Sequence, residues 1–521
     1  MRKNFVKRAQ SICRAYFRRK HTRGKSVERA ELSCRTCFGK MNGILSPREW
    51  VDIARGAGVR AIAIMDFQDA AGFQEAAQAA EELRGEAEPE ELDFKMLYGM
   101  ETVLEDGCPV HLLVRRQEGL AQLYRLLEIS WQDREERPFL RKAEIGGHRS
   151  GLLVGCPGEG GEVWRGILDD LDDARLEEIA GFYDYLSVLP PQNQNDRLPS
   201  TRKHALRGEA LSAEDLILKT IAIGKRSGKP VTAAGNVRTA SQDWGMFRSS
   251  VAYGIQKEEG GDLDASLPDL LYTEEMLDAF SFLGKEPAEE IVIHVPNRLA
   301  DLCEEIRIVP EDKRCLQPIL PGAFQTVADL CREQLQMRYG GTIPRSDRER
   351  MEYELAVLQN NKLLSSALLI SRCLVQGLRR KGYLIRTIAH DLFSVYACPY
   401  AAYLLGVTEV DPLAIRIPFE ARSECDAPDL ELILSVSEEC WEAVMEIFSR
   451  IFPQGTAVSY GDGAGWDKKP SRSHRRFFVP DAAQLRNWMP LKKTDEGYRI
   501  PYGRVEDFPD QFRLLLWPRR I

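Results

Sequence analysis

The chain has 521 residues, enough for roughly two to four domains with cores of their own. Hydrophobic residues make up 44% and charged residues 29%, and neither an apolar run of membrane-spanning length nor a signal-peptide pattern occurs, so no membrane partner is expected. The 12 cysteines follow no repeating spacing, which argues against a disulfide scaffold and for reduced thiols in a cytoplasmic or nucleoid-associated protein.

The net charge of −8 is unevenly spread: residues 2–25 carry ten Lys or Arg and no acid, so the remainder is more acidic than the total implies. A basic arm (residues 1–27) on an acidic body is expected to reach phosphates, through Arg14, Arg18, Arg19, Lys20, Arg23 and Lys25. Phe5, Val6, Ile12, Tyr16 and Phe17 make it a short amphipathic helix or, equally, a solubilising leader.

From residue 28 to about 245 strands and helices alternate. Ser46-Pro47 opens a helix closed by Gly56 and Gly58, and Val59–Met65 is a buried strand ending at Asp66. A helix from about Ala70 to Leu83 and an acidic connection at 86–93 lead to the strand Phe94–Glu101. Strands follow at 110–114, 152–155, 184–189 and 231–233, with helices at 119–129 and 213–225. Such repeated units imply a parallel sheet or barrel, whose sites are built at the C-terminal strand ends. Residues 274–310 read as helical, 312–324 as a Pro/Gly linker, 323–339 and 346–381 as two long helices, and 456–476 as a loop.

Far along the chain, Asp429 and Glu431 sit at i and i+2 in Pro-Asp-Leu-Glu-Leu. On a strand both carboxylates point to one face, an arrangement that can hold two divalent ions on a nucleoside triphosphate. The plainer reading is an edge strand with two exposed acids.

Several segments, in order, make the chain similar to the α subunit of bacterial DNA polymerase III of the PolC type. They include AELSCRTCFGKMNGI (30–44), AIAIMDFQDAAGF (61–73), LYGME (97–101), LISRCLV (369–375), TEVDPL (408–413) and PDLEL (428–432). The resemblance implies an α/β PHP-type distorted (βα)7 barrel at 28–311, then an α+β polymerase-β-like palm remnant at 312–521 without fingers or thumb. Glu105-Asp106-Gly107 runs straight into Cys108-Pro109-Val110, so no proofreading exonuclease is inserted, and the family's four-cysteine zinc module is missing.

In that frame the PHP metal ligands are depleted. The family's His-x-His positions hold Ser33 and Arg35, its Asp-His pair is Asp66-Phe67, its Cys falls on Gly158 and its last His on Arg238. Asp66 and Glu101 remain as vestigial metal ligands, expected to be metal-free and paired with arginine. Cys34-x-x-Cys37 forms half a zinc site at most, and two ordinary cysteines is the simpler reading. In the palm the first two acids match Asp429 and Glu431, as vestigial catalytic carboxylates, while Leu515 stands where a third is needed. The stretch 386–399, with Arg386 and His390, has none of the glycines of the family's triphosphate cradle.

Three functions follow. The first is a non-catalytic PolC-type homologue that binds DNA or protein in replication or repair, with no cofactor. The second is a polymerase subunit working through Asp429 and Glu431 with Mg²⁺. The third is an accessory protein that binds the sliding clamp through Gln511–Leu515, a Q-x-x-L-L stretch.

Overall fold

The computed structural model of the chain describes residues 29–38, 43, 45–57, 59–86, 94–131, 138–193, 211–239, 268–308, 319–360, 362–387, 400–416, 419, 431–436, 440–453, 455–460, 476–479, 486–494, 497–500 and 515–520. It divides into two compact units, Met1–Ile308 and Val309–Ile521.

In the first unit β1 (Arg29–Cys34) leads to α1 (Pro47–Gly56). The Ser46-Pro47 start behaves as its residues dictate: Ser46 and Glu49 form a reciprocal capping box and Pro47 fills the first turn. β2 (Val59–Phe67), α2 (Phe73–Glu86), β3 (Lys95–Val103), β4 (Pro109–Val114) and α3 (Gln117–Trp131) follow. Then come β5 (Leu152–Cys156), α4 (Glu162–Leu168), α5 (Asp173–Gly181), β6 (Tyr185–Val188), α6 (Ala213–Arg226), β7 (Val231–Ala233) and α7 (Val295–Leu302). α2 begins three residues later than its composition implies, because the Asp69 carboxylate accepts the Ala71 N–H at 2.7 Å and holds the chain in a turn.

The strands form one sheet in sequence order, β1 to β7. Pairing is parallel except around β4, which is antiparallel to both β3 and β5. A tight turn joins β3 to β4: Leu104 N–H donates to Cys108 O at 2.7 Å and Gly107 N–H to Leu104 O at 2.8 Å, leaving no room for an inserted domain there. The sheet closes on itself beyond β7, where Val237 N–H donates to Ser33 O at 2.7 Å and Arg35 N–H to Val237 O at 2.8 Å. The result is a seven-stranded, distorted barrel. Alternate residues of its strands, among them Leu32, Ala63, Leu97, Leu113 and Tyr185, pack with Leu299 of α7 in one apolar core. The opposite face packs on helices, as in the edge-on contact of Phe73 with Tyr98 at 5.2 Å.

The helical stretch at 274–310 is shorter and broken. It contains a π-turn at Glu290–His294 and stops at Leu302, where Cys303 turns extended (φ −83°, ψ 135°). Pro296 has no N–H to give to the preceding turn, which accounts for the irregularity.

In the second unit, α8 (Ala323–Tyr339), α9 (Arg345–Asn360) and α10 (Lys362–Arg380) pack together with α11 (Tyr400–Leu404) and α12 (Trp441–Ile451). Their core includes Cys331, Leu335, Leu355, Leu374, Tyr400 and Val444. The helix expected over 346–381 is two, parted after Asn360, and asparagine is a poor helix-interior residue. Two sheets accompany the helices. One has the order β14 (Leu515–Arg520), β9 (Glu431–Val436), β8 (Ile385–Thr387). The other has the order β11 (Arg476–Val479), β10 (Thr456–Tyr460), β13 (Gly497–Ile500), β12 (Lys492–Thr494). β10 corrects the loop expected at 456–476: its partners β11 and β13 lie far along the chain, so pairing outweighs local composition. No helix of the described residues is long and apolar enough to cross a membrane.

Candidate functional site

The barrel mouth collects the charged ends of β1 to β4. A register shift in β1 between Glu31 and Cys34 changes which residues face inward. Past this bulge the Arg35 side chain, only 1% exposed, reaches over the strand ends. Its Nη2 donates to Glu101 Oε2 and its Nη1 to the Met65 carbonyl. Asn236 Oδ1 lies 3.4 Å from Nη2, on a backbone held left-handed (φ 48°).

Glu101 and His111 face each other across the β3–β4 pair, and His111 Nε2 donates to Glu101 Oε2 at 3.1 Å. Burial pushes the Glu101 carboxyl up, but the Arg35 charge and the His111 hydrogen bond outweigh it and hold the group at about 2. Burial pushes His111 below its ordinary value against the pull of Glu101, which leaves the ring neutral.

Asp66 stands apart from this trio. It pairs in register with Met100, while Phe67 pairs with Glu101, so the pleat turns Asp66 and Glu101 to opposite faces. Asp66 accepts from the Thr36 N–H at 2.6 Å and from the Thr36 hydroxyl. Burial raises its carboxyl above the usual range despite these bonds. The arginine pairing therefore falls on Glu101, and Asp66 is satisfied by Thr36.

The other ligand positions are also unsuited to a metal ion. The Ser33 hydroxyl is buried without a hydrogen-bond partner. A Cβ at Gly158 would lie 2.7 Å from Ser187 O and 2.8 Å from Val188 Cα, so no side chain fits there. Among the described residues no cluster of three or more His, Cys, Asp or Glu is placed to hold a metal ion. Cys34 is buried on β1 and Cys37 exposed beyond it. The buried Cys108 and Cys156 thiols are each pushed up to about 12 by burial. The donor set of the mouth does not fit the metal centre that the resemblance implies.

His111, Thr36 and Asn236 were not singled out from the sequence. His111 had one signal: in Pro-Val-His-Leu-Leu-Val it falls two residues from Leu113, on the apolar face.

The mouth should titrate. The Glu101 carboxyl is held low in the fold, so its contribution, on the order of 3 kcal/mol, is present above the unfolded value near 4.5 and lost as pH falls through about 2. Acidification also protonates His111 in the unfolded chain first, a loss beginning below about 6.5. Urea unfolding followed from pH 7 to pH 3 should show falling stability, and Glu101→Gln should flatten the acid limb below pH 4.5. An unchanged limb would show that Glu101 is not held low.

In the second unit, β9 and β14 run parallel with Leu515 in register with Glu431. The backbone thus brings the strand of the second acid beside the strand where a third is expected, and the residue there is leucine. Asp429 lies outside the described residues, as do Arg14, Arg18, Arg19, Lys20, Arg23 and Lys25, His390 and Gln511. Arg386 lies in β8.

A closed seven-stranded barrel with its polar groups at the strand ends defines a PHP-type domain. Residues 31–188 match the PHP domain and residues 325–458 match the bacterial DNA polymerase III alpha NTPase domain. The DNA polymerase III PolC-type of Caldanaerobacter subterraneus subsp. tengcongensis is 32% identical over 311 residues, 58% of this chain and 21% of that protein. That of Oceanobacillus iheyensis is 31% identical over 328 residues, 62% of this chain and 22% of that one. Over these segments the chain is a homologue of PolC-type DNA polymerase III. It spans about a fifth of the length of the curated relatives it matches. An amidohydrolase structure from Chromobacterium violaceum shows a loose likeness, with TM-score 0.23 and 15% identity over 39% of this chain and 86% of that one.

Proposed function

We propose that this chain is a PolC-type homologue that has lost metal-dependent chemistry and acts as a DNA- or protein-binding scaffold in replication or repair. The observation that carries this reading is Arg35: a guanidinium bonded to Glu101 occupies a ligand position and repels a divalent ion. Leu515 in register with Glu431 supports it in the palm, since a leucine cannot ligate a metal ion. Primer extension with Mg²⁺ or Mn²⁺ is the direct test. No incorporation is expected, and incorporation abolished by Asp429→Asn would overturn the reading.

With Glu431 on β9, the one alternative is a polymerase subunit that still uses Asp429 and Glu431 with Mg²⁺, completed by another chain. The test above separates the two. Binding through the basic arm predicts DNA affinity that falls by roughly 10³-fold or more between 50 and 200 mM salt if six or more phosphates are contacted. Deleting residues 1–25 should remove most of it, and equal affinity after deletion would count against the arm. For the sliding clamp, pull-down with and without residues 505–521 is the corresponding check.

A further inference from the structure

The family's metal ions and this chain's barrel mouth do not fit one another, and what occupies the mouth is itself informative. The Arg35 guanidinium takes a carboxylate oxygen from β3 (Glu101), a main-chain carbonyl from the end of β2 (Met65), and faces a side-chain amide oxygen beyond β7 (Asn236). A carboxylate, a peptide carbonyl and an amide carbonyl form the oxygen set that a hard cation collects. Met65 and Glu101 come from the paired strands β2 and β3, Asn236 from the segment beyond β7, and Arg35 itself lies just past the end of β1. His111 supports Glu101 through the same Oε2 that Arg35 takes, so the carboxylate is fixed from two sides.

Sterics agree with occupancy by a side chain. Two residues before Arg35 the small Ser33 is buried, its hydroxyl without a partner. At Gly158 the backbone of β6 has closed in, leaving no room for a ligating side chain.

We infer that Arg35 is a built-in structural cation: it fills the oxygen set at the barrel mouth with a permanent charge from the chain, so that the barrel is held together without a metal ion. The inference rests on the same residue as the loss of chemistry proposed above, but concerns what holds the barrel rather than what it catalyses. Primer extension therefore leaves it untouched, and melting leaves the scaffold reading untouched.

The experiment uses the full chain, stripped with EDTA, with metal content read by mass spectrometry and melting followed by fluorimetry. The wild type should contain no stoichiometric metal, and its Tm should move by less than a degree with EDTA or with 1 mM Mn²⁺, Ca²⁺ or Mg²⁺. Arg35→Ala should melt lower by roughly 5–10 °C. Because it leaves the oxygen set without a cation, 1 mM divalent ion should restore part of that loss, while NaCl of equal ionic strength should not. Arg35→Lys keeps the charge but not the fork, and should fall between the two without responding to metal; it also serves if the alanine variant does not fold. A wild type that loses a bound metal and several degrees of Tm on EDTA treatment would overturn the inference. So would an alanine variant that melts as the wild type does, or one whose loss no divalent ion reverses.

Discussion

Glu31→Ala is expected to destabilise the first unit by about 3–5 kcal/mol, the cost of removing one partner of a buried ion pair. Arg29 and Glu31 are 1% and 0% exposed and lie 2.9 Å apart. Glu31 also accepts the Ser33 N–H at 3.1 Å and the Gly235 N–H at 3.0 Å, so it ties β1 to the segment that closes the barrel beyond β7. That approach requires glycine at 235, where a Cβ would lie 2.9 Å from Glu31 Oε2. The substitution leaves a buried guanidinium without its counter-charge and two main-chain donors unmatched. Replacing both partners with apolar residues, as in Arg29→Met with Glu31→Leu, should cost less, because no charge is then left buried, although the Ser33 and Gly235 N–H groups still lose their acceptor. Urea unfolding of the two variants decides it. If the single substitution costs under a kilocalorie per mole, Glu31 does not close the barrel.

The second large effect is expected in the other unit. Glu354 on α9 is 0% exposed and accepts the Tyr400 and Ala401 N–H groups, each at 2.8 Å, at the start of α11. It also pairs with Arg350 at 2.5 Å. Burial pushes its carboxyl above the ordinary value against these bonds, as expected for a charge that the interior tolerates only when fully bonded. Glu354→Ala removes the cap of α11 and the partner of a nearly buried arginine, and should cost about 3–5 kcal/mol. Glu354→Gln keeps one acceptor oxygen and should cost less. Equal losses for both would show that the full carboxylate charge, rather than an acceptor oxygen at this place, is what Glu354 supplies. Nearby, Asp347 accepts from the hydroxyls of Tyr339 at 2.6 Å and Tyr400 at 2.8 Å, so the α9–α11 contact is polar as well as apolar.

The elements of the barrel were legible because they are local. Ala61–Met65 is a run of apolar residues buried on both faces, and Ser46-Pro47-x-Glu49 carries its own start signal. Where the reading failed, non-local pairing decided. β10 forms because β11 and β13 accept it; Thr456, Val458 and Tyr460 favour a strand, but the run is short and the Gly-, Ser- and charge-rich stretch after it reads as a loop. The bulge in β1 is likewise invisible in the sequence, yet it sets where Arg35 reaches.

The sequence by itself determined the likeness to PolC-type DNA polymerase III and the identity of the altered site residues: Ser33, Arg35, Gly158 and Leu515 are each read directly, and their chemistry excludes metal ligation by Arg35, Gly158 and Leu515. It also narrowed the partner of Arg35 to Asp66 or Glu101. Only the tertiary structure decided between them, because the choice depends on pleat parity and strand register. Those place Glu101 beside Phe67 and opposite His111, and turn Asp66 to Thr36. A side chain's charge is a property of its residue type; the oxygen it meets depends on how distant strands are aligned.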